Sequence, residues 1–308
     1  MTRPIPVVFN PTAGGGRARR QRADLEQAAA QSGVTLDWRA TQAAGHATAL
    51  AAEVAGQKHP LVLAFGGDGT YNEVAQGLLG SETSMGVVPA GTTSVLAYEF
   101  GIPRPVGSSL GALIGGSDRV MRVGSTDRGD VILLMLSAGP DAQVLNNLKP
   151  WLKPLGGRYG VAAQAGIELI RPASMPTLRV VGDGRSTECG WVIVGKGRCY
   201  AGPFEACPDA DPFEPDFQVV VSRLRTRRAA LAFVAGLARG RHLQRSGVEA
   251  WRSRSLRLEP GASSSPVAYQ VDGDFKGLLP VDVGIHPKTL VVRLPKASSV
   301  TMLPGGSR

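Results

Sequence analysis

The sequence predicts an α/β domain built on a parallel sheet, followed by an all-β domain. Strand and helix signals alternate through the first third of the chain, and short β-branched runs broken by glycine and proline fill the remainder. With 308 residues, 43% of them hydrophobic and only 19% charged, the chain can form two cores and is not disordered. We expect domains at residues 1–123 and 124–296 and a disordered tail at 297–308.

The first domain is predicted from the order of its elements. The predicted strands are 5–9, 35–40, 61–65 and 85–88, and the predicted helices are 18–31, 47–55 and 71–79. Strands separated by helices of this length form right-handed βαβ crossovers and a parallel sheet. Ligands of such sheets bind at the carboxyl ends of the strands, so the loops that follow the strands are the candidate site.

The second domain is predicted to be a sandwich or barrel, because many short strands with few helices are typical of these folds. Its predicted strands are 131–136, 177–181, 191–194, 217–221, 255–258, 267–271 and 289–294. Helical insertions are predicted at 160–170 and 227–239.

Charge and cysteine content narrow the function classes. Lys and Arg outnumber Asp and Glu by 34 to 25, and this excess favours an anionic partner such as a nucleotide, a phospholipid surface or a nucleic acid. Three cysteines without zinc-finger spacing indicate neither a disulfide framework nor a zinc site. Since we find neither a secretory signal nor an apolar run of about 18–20 residues, we expect a cytoplasmic protein.

Three glycine-containing loops follow predicted strands of the first domain. They are Asn10–Gly16, Gly66–Thr70 with Asn72 and Glu73 just beyond it, and Pro89–Thr93, and the last of them is also expected to open a helix. Glycines expose backbone N–H groups and a helix N-terminus adds partial positive charge, so the loops together predict a phosphate cradle. A Gly-Asp-Gly stretch alone is often a turn, and the first loop lacks the spacing of a P-loop.

Taken together, the motifs resemble those of the diacylglycerol kinase catalytic family, which includes bacterial lipid kinases, sphingosine kinases and ceramide kinases. The likeness spans residues 4–295 and includes elements beyond the three loops. These are Ser137–Ala142, Tyr200–Pro203, Pro208–Asp211 and Val271–Asp274. The Gly66–Thr70 loop alone is shared with the NAD kinases, whereas the later elements favour the lipid kinases.

The resemblance implies an N-terminal Rossmann-like domain, a C-terminal β-sandwich and transfer of phosphate from ATP to a lipid hydroxyl, with Mg²⁺, in the cleft between the domains. Asp272 matches the general base, Asp274 replaces a supporting glutamate, and Asp68 is the candidate Mg²⁺ ligand. The residues implied to bind the nucleotide are Asn10, Thr41, Gly66, Gly67, Asp68, Gly69, Thr70, Asn72, Glu73, Gly91 and Thr92.

The sequence departs from the family pattern at several polar positions. Ser94, Val95 and Arg122 replace an Asn and two Asp residues of the family, Phe213–Pro215 replaces an Asp-Asp-Gly stretch associated with a structural Mg²⁺, and Lys196 replaces an Asn. The departures leave one alternative to a lipid kinase, a catalytically weak regulatory relative that binds nucleotide or lipid. An NAD kinase is a second alternative, because the Gly66–Thr70 loop is shared with that family.

A basic segment surrounds the apolar stretch 229–238. Its arginines are Arg223, Arg225, Arg227, Arg228, Arg239, Arg241, Arg245, Arg252, Arg254 and Arg257. Peripheral contact with an anionic membrane is one interpretation, and a helix packed on the sandwich with solvated arginines is the other. No nucleic-acid partner is expected because no aromatic platform or helix-turn-helix pattern accompanies the charge. The sequence leaves the oligomeric state open, a homodimer included.

Overall fold

A computed structural model describes residues 3–147, 177–223, 225–262 and 266–296. The chain divides into two compact units. The first runs to Val120 and resumes at Leu290, and the second is Met121–Thr289. No helix within the described ranges combines the length and the apolar character that a membrane span requires.

The first unit is built on one six-stranded sheet with helices between its strands. The strands are β1 (Ile5–Phe9), β2 (Leu36–Ala40), β3 (Leu61–Gly66), β4 (Ser84–Pro89), β5 (Ser117–Met121) and β20 (Leu290–Leu294). The helices are α1 (Ala13–Arg20), α2 (Arg22–Gln31), α3 (His46–Gly56), α4 (Asp68–Leu78), α5 (Val95–Glu99) and α6 (Val106–Ile114).

The sheet has the order β2-β1-β3-β4-β20-β5, and its first five strands pair in parallel. Every residue of β3 and β4 is buried, which is the pattern of central strands covered by helices on both faces. The predicted parallel α/β sheet is confirmed. Its adjacent strands β1, β3 and β4 therefore place their carboxyl ends, and the loops that follow them, along one edge.

The second unit contains two six-stranded sheets and a two-stranded ribbon. Its strands are β6 (Gly124–Thr126), β7 (Val131–Ile132), β8 (Met135–Ala138), β9 (Leu178–Gly182), β10 (Arg185–Cys189), β11 (Trp191–Gly195), β12 (Cys199–Tyr200), β13 (Phe204–Glu205), β14 (Phe217–Ser222), β15 (Val248–Ser253), β16 (Ser255–Pro260), β17 (Ala268–Val271), β18 (Asp274–Leu278) and β19 (Val281–Ile285). Its described residues also form helices α7 (Pro140–Asn146) and α8 (Arg227–Leu237) and a short 3₁₀ helix at His242–Gln244.

The two sheets share one apolar core and form the predicted β-sandwich. Their strand orders are β10-β9-β16-β19-β6-β7 and β15-β14-β11-β8-β17-β18. Leu136, Val192 and Phe217 from one sheet join Leu258 and Val281 from the other in a single buried cluster. The burial of alternate residues in β16 and β19 is typical of sheets with one face on the core and one toward solvent.

One predicted strand joins a different sheet from the one expected. The strand predicted at 289–294 exists as β20, but Val292 pairs with Met85 of β4, so β20 belongs to the first unit rather than to the sandwich. Leu290 and Val292 are both fully buried. An alternating apolar pattern gives the face that a strand buries but not the sheet that it joins, because pairing across some 200 residues leaves no local signal.

Several element boundaries also differ from the prediction. The helix expected at 18–31 is two helices, α1 and α2, and the strand expected at 131–136 is divided into β7 and β8. Helix α5 begins directly after the Pro89–Thr93 loop, where a helix was expected, whereas α6 was not predicted. The helix predicted at 227–239 is α8. The helix predicted at 160–170 and the tail at 297–308 lie outside the described residues.

Candidate active site

The three glycine loops of the first unit touch one another through their backbones. A Cβ atom on Gly14 would lie 2.2 Å from the carbonyl oxygen of Ala90, and one on Gly91 would lie 2.7 Å from the Cα of Gly67. The N–H groups of Ala90 and Gly91 both donate to the carbonyl oxygen of Gly66, at 2.8 Å. Glycine is therefore required at Gly14 and Gly91 by close approach, and the three loops form one structure.

The first loop has an unusual backbone conformation. Gly14, Gly15 and Gly16 have φ values of 60°, 67° and 83°, three consecutive left-handed residues. Asn10 fixes the entry to this run, because its side-chain oxygen accepts hydrogen bonds from the Thr12 N–H (3.0 Å) and hydroxyl (2.7 Å). Successive N–H groups in such turns form concave sites for anions.

Guanidinium groups lie over the carbonyl oxygens of these loops. Arg17 and Arg104 both donate toward the Gly91 carbonyl oxygen, at 3.4 and 3.5 Å, and Arg104 also donates to the Thr93 carbonyl oxygen and the Tyr98 hydroxyl. Arg20 donates to the Gly15 carbonyl oxygen at 3.3 Å. The loops thus combine backbone donors with positive charge. Arg17 and Arg20 directly follow the first glycine loop in the sequence, whereas Arg104 lies in the connection between α5 and α6 and was not predicted.

Asp68 joins the second loop to the third. It is the first residue of α4, and its two carboxylate oxygens accept hydrogen bonds from the N–H groups of Val95 (3.0 Å) and Leu96 (3.1 Å). Asp68 therefore caps α5 from a neighbouring loop, since the first N–H groups of a helix have no partner within it. Gly67 and Gly69 flank it at the N-terminus of α4, and a Cβ atom on Gly69 would meet nothing within 4 Å.

A buried tyrosine, Tyr71, contacts both the second and the third loop. The Tyr71 hydroxyl donates to the Gly66 carbonyl oxygen (2.7 Å) and lies 3.3 Å from the Ser94 hydroxyl. Burial raises the pKa of Tyr71 well above its usual value. Ser94, one of the departures from the family pattern, is buried and has φ +49° at the start of α5. Thr70 is also buried, and both residues serve the packing of the loops.

The remaining predicted nucleotide contacts lie around the loops with varied partners. The Glu73 carboxylate accepts the Ala47 N–H (3.1 Å), and its carbonyl oxygen accepts the Thr48 hydroxyl (2.9 Å), so Glu73 caps helix α3. Thr41 follows β2 and donates its N–H to the carbonyl oxygen of Phe9 at the end of β1. Asn72 and Thr92 are half-buried, in the first turn of α4 and immediately after Gly91.

In the second unit, Asp272 lies in the tight turn between β17 and β18. Asp272 and Gly273 have φ values of 50° and 92°, as a two-residue hairpin turn with two left-handed positions requires. The Asp272 carboxylate accepts hydrogen bonds from the N–H groups of Leu133, Leu134 and Met135, at 2.9, 2.9 and 3.0 Å. These bonds fix the carboxylate against the β7–β8 connection.

A polar cluster supports this turn from the other side. The Gly273 N–H donates to the Gln270 side-chain oxygen (2.7 Å), and the Gln270 amide lies 3.5 Å from Asp141. Asp141 accepts hydrogen bonds from the hydroxyl groups of Ser137 and Tyr200, each at 2.9 Å. Desolvation raises the pKa of Asp141 and, well above its usual value, that of Tyr200. Three separate family motifs therefore meet behind the turn, a link that sequence reasoning did not predict.

Asp274 and Arg122 are exposed, and neither takes part in the hydrogen bonds described for that cluster. Asp274 begins β18, and Arg122 donates its backbone N–H to the Pro212 carbonyl oxygen.

Lys196 is fully buried, and its ammonium donates to the carbonyl oxygens of Asp211 (2.8 Å) and Glu214 (2.7 Å). Burial lowers the pKa of Lys196 to about 8. The Lys196 ammonium thus places a positive charge against the carbonyl oxygens of the 211–214 turn.

The fold and both sites agree with a family assignment from sequence comparison. The model of the diacylglycerol kinase catalytic domain matches residues 4–126, and that of the YegS C-terminal NAD kinase beta sandwich-like domain matches residues 135–294. The chain therefore belongs to the diacylglycerol kinase family of lipid kinases, as the sequence motifs predicted.

The chain is similar along almost its whole length to proteins named diacylglycerol kinase. One from Bacillus subtilis (strain 168) is 27% identical over 94% of this chain and 96% of the relative, and one from Staphylococcus aureus (strain MRSA252) is 25% identical over 90% and 87%. Two crystal structures from Bacillus anthracis str. Sterne share the fold. A candidate diacylglycerol kinase has a TM-score of 0.78 at 19% identity, and a diacylglycerol kinase has 0.70 at 17%, each over at least 96% of both chains.

Proposed function

We propose that the protein is an ATP-dependent lipid kinase that transfers the γ-phosphoryl group to a hydroxyl of a membrane lipid such as diacylglycerol. The observation that carries the proposal is the mutual contact of the three glycine loops at the N-terminus of α4, with Arg17 and Arg104 over their carbonyl oxygens. Backbone donors, a helix N-terminus and guanidinium groups are the groups that bind polyphosphates.

The residues present fit a bound triphosphate. A Cβ atom on Gly15 or Gly69 would meet nothing within 4 Å, so both positions leave room for a ligand beside the backbone. We assign phosphate binding to the N–H groups of these loops and to the guanidinium groups. Mg²⁺, when bound, neutralises phosphate charge, and it is normally held by one or two carboxylates together with phosphate and water oxygens.

Asp68 is the protein ligand that we assign to Mg²⁺, because no other acidic side chain occurs in the three loops. The hydrogen bonds that Asp68 accepts from Val95 and Leu96 orient its carboxylate at the N-terminus of α4. Asn10, Thr41 and Thr92 are proposed as further nucleotide contacts. We also propose that Glu73 serves the site indirectly, by capping the N-terminus of α3, the helix that follows Thr41 in the chain.

Asp272 is the proposed general base. Its carboxylate would take the proton of the lipid hydroxyl as the hydroxyl oxygen bonds to the γ-phosphorus, while the bond from that phosphorus to the bridging oxygen breaks and ADP leaves. The three N–H groups that hold the carboxylate orient it for this task. For Asp274, which begins β18 two residues further on, we propose only a minor supporting role. Diacylglycerol is the first acceptor to test, since it is the substrate class in the names of the relatives.

The test is transfer of labelled γ-phosphate from ATP, with Mg²⁺, to vesicles or micelles that contain diacylglycerol, phosphatidylglycerol, ceramide or a sphingoid base, and to NAD. The variants are Asp68→Ala and Asp272→Asn, with Asp274→Asn as a nearby control. A labelled lipid with the wild type that is lost in the first two variants supports the proposal. Labelled NAD would instead identify an NAD kinase.

A second candidate function is a regulatory relative that binds nucleotide or lipid with little turnover. It is favoured by Val95 and Arg122, which replace family carboxylates, and by the engagement of Asp68 as a helix cap. ATP binding measured by calorimetry, without transfer to any acceptor of the panel, would identify this function.

A further inference from the structure

Helix α8 of the second unit buries one face and exposes an apolar stripe on the other. On the buried face, Phe233 and Leu237 are 2% and 6% exposed, and the Phe233 ring lies 5.0 Å from that of Trp191 and 5.5 Å from that of His242. Aromatic packing of this kind holds the helix firmly. What the opposite face presents to solvent is therefore a fixed surface.

The exposed face carries Leu231, Val234, Ala235 and Ala238, which we call the α8 stripe. Leu231 and Val234 are 50% and 48% exposed, and the spacing of three and four residues places all four on one side of the helix. Polar side chains at Leu231 and Val234 would be compatible with the helix and would not expose apolar surface to water. The apolar surface at these positions thus calls for a binding partner.

Both ends of the stripe are strongly basic. Residues 225–247 contain six arginines and no aspartate or glutamate. Arg228 lies before the stripe, and Arg239, Arg241 and Arg245 lie after it, all four exposed and none in an ion pair within the described part of the chain. An apolar stripe between cationic ends complements a surface with an anionic outer layer over an apolar interior.

We propose that the α8 stripe and its flanking arginines dock on an anionic phospholipid bilayer. Helices that lie in the membrane interface combine an apolar face, basic residues and no acidic ones. A second copy of this chain is a poorer occupant, because a symmetric contact would bring the same arginines together, and like charges in an interface are unfavourable. Binding of this kind does not require kinase activity, so it is testable without ATP.

The first experiment is co-sedimentation of the full chain with vesicles of phosphatidylcholine, with and without phosphatidylglycerol. We expect binding to the anionic vesicles that weakens as salt is raised. The double variant Leu231→Ser/Val234→Ser should lose most of the binding. Arg239→Gln/Arg241→Gln should lower it by about fivefold per arginine, the equivalent of ~1 kcal/mol each.

Matched controls are available elsewhere on the surface. Val120→Ser removes an apolar side chain that is 54% exposed, and Lys58→Gln/Lys288→Gln removes two exposed charges. We expect these controls to bind anionic vesicles as the wild type does, within about twofold, because none of the three residues belongs to the α8 stripe or its flanking arginines. Equal losses in the controls and in the α8 variants would overturn the proposal.

The second experiment reports insertion directly. The three native cysteines are buried, so a fluorophore can be attached selectively to a Val234→Cys variant, with Val120→Cys as the control. The label at position 234 should shift to the blue and be quenched by brominated phosphatidylglycerol, whereas the label at 120 should not. If neither label responds, or if both respond alike, the stripe is not the docking surface.

Two other occupants give distinct results that would also overturn the proposal. If residues of this chain outside the described ranges cover the stripe, Leu231→Ser/Val234→Ser will lower the unfolding temperature and leave vesicle binding intact. If a second copy covers it, the same variant will convert a dimer to a monomer in sedimentation velocity without lipid and leave vesicle binding intact. A variant with unchanged unfolding temperature and lost vesicle binding supports the bilayer.

Discussion

The glycine loops of the first unit and the polar turns of the second are held in place by opposite means. The loops approach so closely that Gly14 and Gly91 leave no room for a Cβ atom, and backbone contacts fix them. The turns are fixed by charged side chains, with the Asp272 carboxylate on three N–H groups and the buried Lys196 ammonium on two carbonyl oxygens. The first unit should therefore respond to added volume, and the second to changed charge.

The largest effect is expected for Asp272→Asn. Loss of a positioned base typically costs about 10²–10⁴ in kcat, and an amide group facing three N–H donors should also lower the free energy of unfolding by about 1–3 kcal/mol. The measurement is kcat with whichever lipid of the proposed acceptor panel is labelled by the wild type, together with ATP affinity, which should be unchanged because the glycine loops are intact. Asp274→Asn, an exposed carboxyl nearby, should reduce kcat by less than about tenfold. Equal kcat for the Asp272 variant and the wild type would refute its role.

Gly14→Ala should be the most damaging change among the loops. The added methyl group would lie 2.2 Å from the Ala90 carbonyl oxygen and require a left-handed alanine, which together cost about 2–5 kcal/mol. Gly15→Ala is a matched control, because it has the same strained φ but its methyl group meets nothing within 4 Å, so only about 1–2 kcal/mol is expected. Chemical unfolding of both variants measures the difference, and equal stability losses would show that the loops do not depend on close contact.

Lys196 gives the second unit a pH dependence of known sign. Its pKa is lowered from 10.5 to about 8 in the folded protein, so the unfolded chain binds more protons between these pH values and stability rises with pH across that window. We expect the free energy of unfolding of the wild type, relative to Lys196→Met, to increase by about 1–3 kcal/mol from pH 8 to 10.5. The subtraction removes tyrosine and cysteine titrations common to both proteins. A flat difference curve would show that the ammonium is not desolvated.

The smallest effect concerns Arg104, the loop contact that sequence reasoning missed. Arg104→Gln should raise the Kd for ATP by about five- to tenfold, since one partly exposed guanidinium contributes about 1 kcal/mol to phosphate binding. Arg22→Gln is a matched control, because the two guanidinium groups both lie over aromatic rings, Arg104 5.4 Å from the centroid of Tyr98 and Arg22 4.6 Å from that of Trp38. Arg22, however, donates to Glu26 and not to the loops. The same loss in both variants would indicate a general charge effect.

Much of the fold could be predicted because its signals are local. Alternating strands and helices, glycines after strands, and a two-residue turn at Asp272–Gly273 are each readable within a few residues. The sheet joined by β20 could not be predicted in this way, since Val292 and Met85 are far apart in sequence. A helix was expected after Pro89–Thr93, but the sequence does not reveal that α5 is capped by Asp68, a residue 27 positions before it.

The candidate site shows the same limit. The residue types at Asp68 and Glu73 suggested ligands, yet both are seen holding the first N–H groups of neighbouring helices. In the sequence, Lys196 was only an isolated departure from a family motif. The structure shows that its ammonium donates to the carbonyl oxygens of Asp211 and Glu214. A sequence pattern gives the chemistry that a side chain can perform, while its partners depend on contacts between distant segments.

The position of β20 has a consequence for how the protein is made. In the sheet order, β20 lies between β4 and β5, so β4 has no neighbour on that side until Leu290–Leu294 has been synthesised. On the ribosome, the sheet of the first unit therefore lacks β20, and one edge of β4 stays unpaired, until the whole sandwich has been synthesised. Since unpaired edges promote association between chains, nascent chains stalled before residue 290 should be the most prone to aggregate.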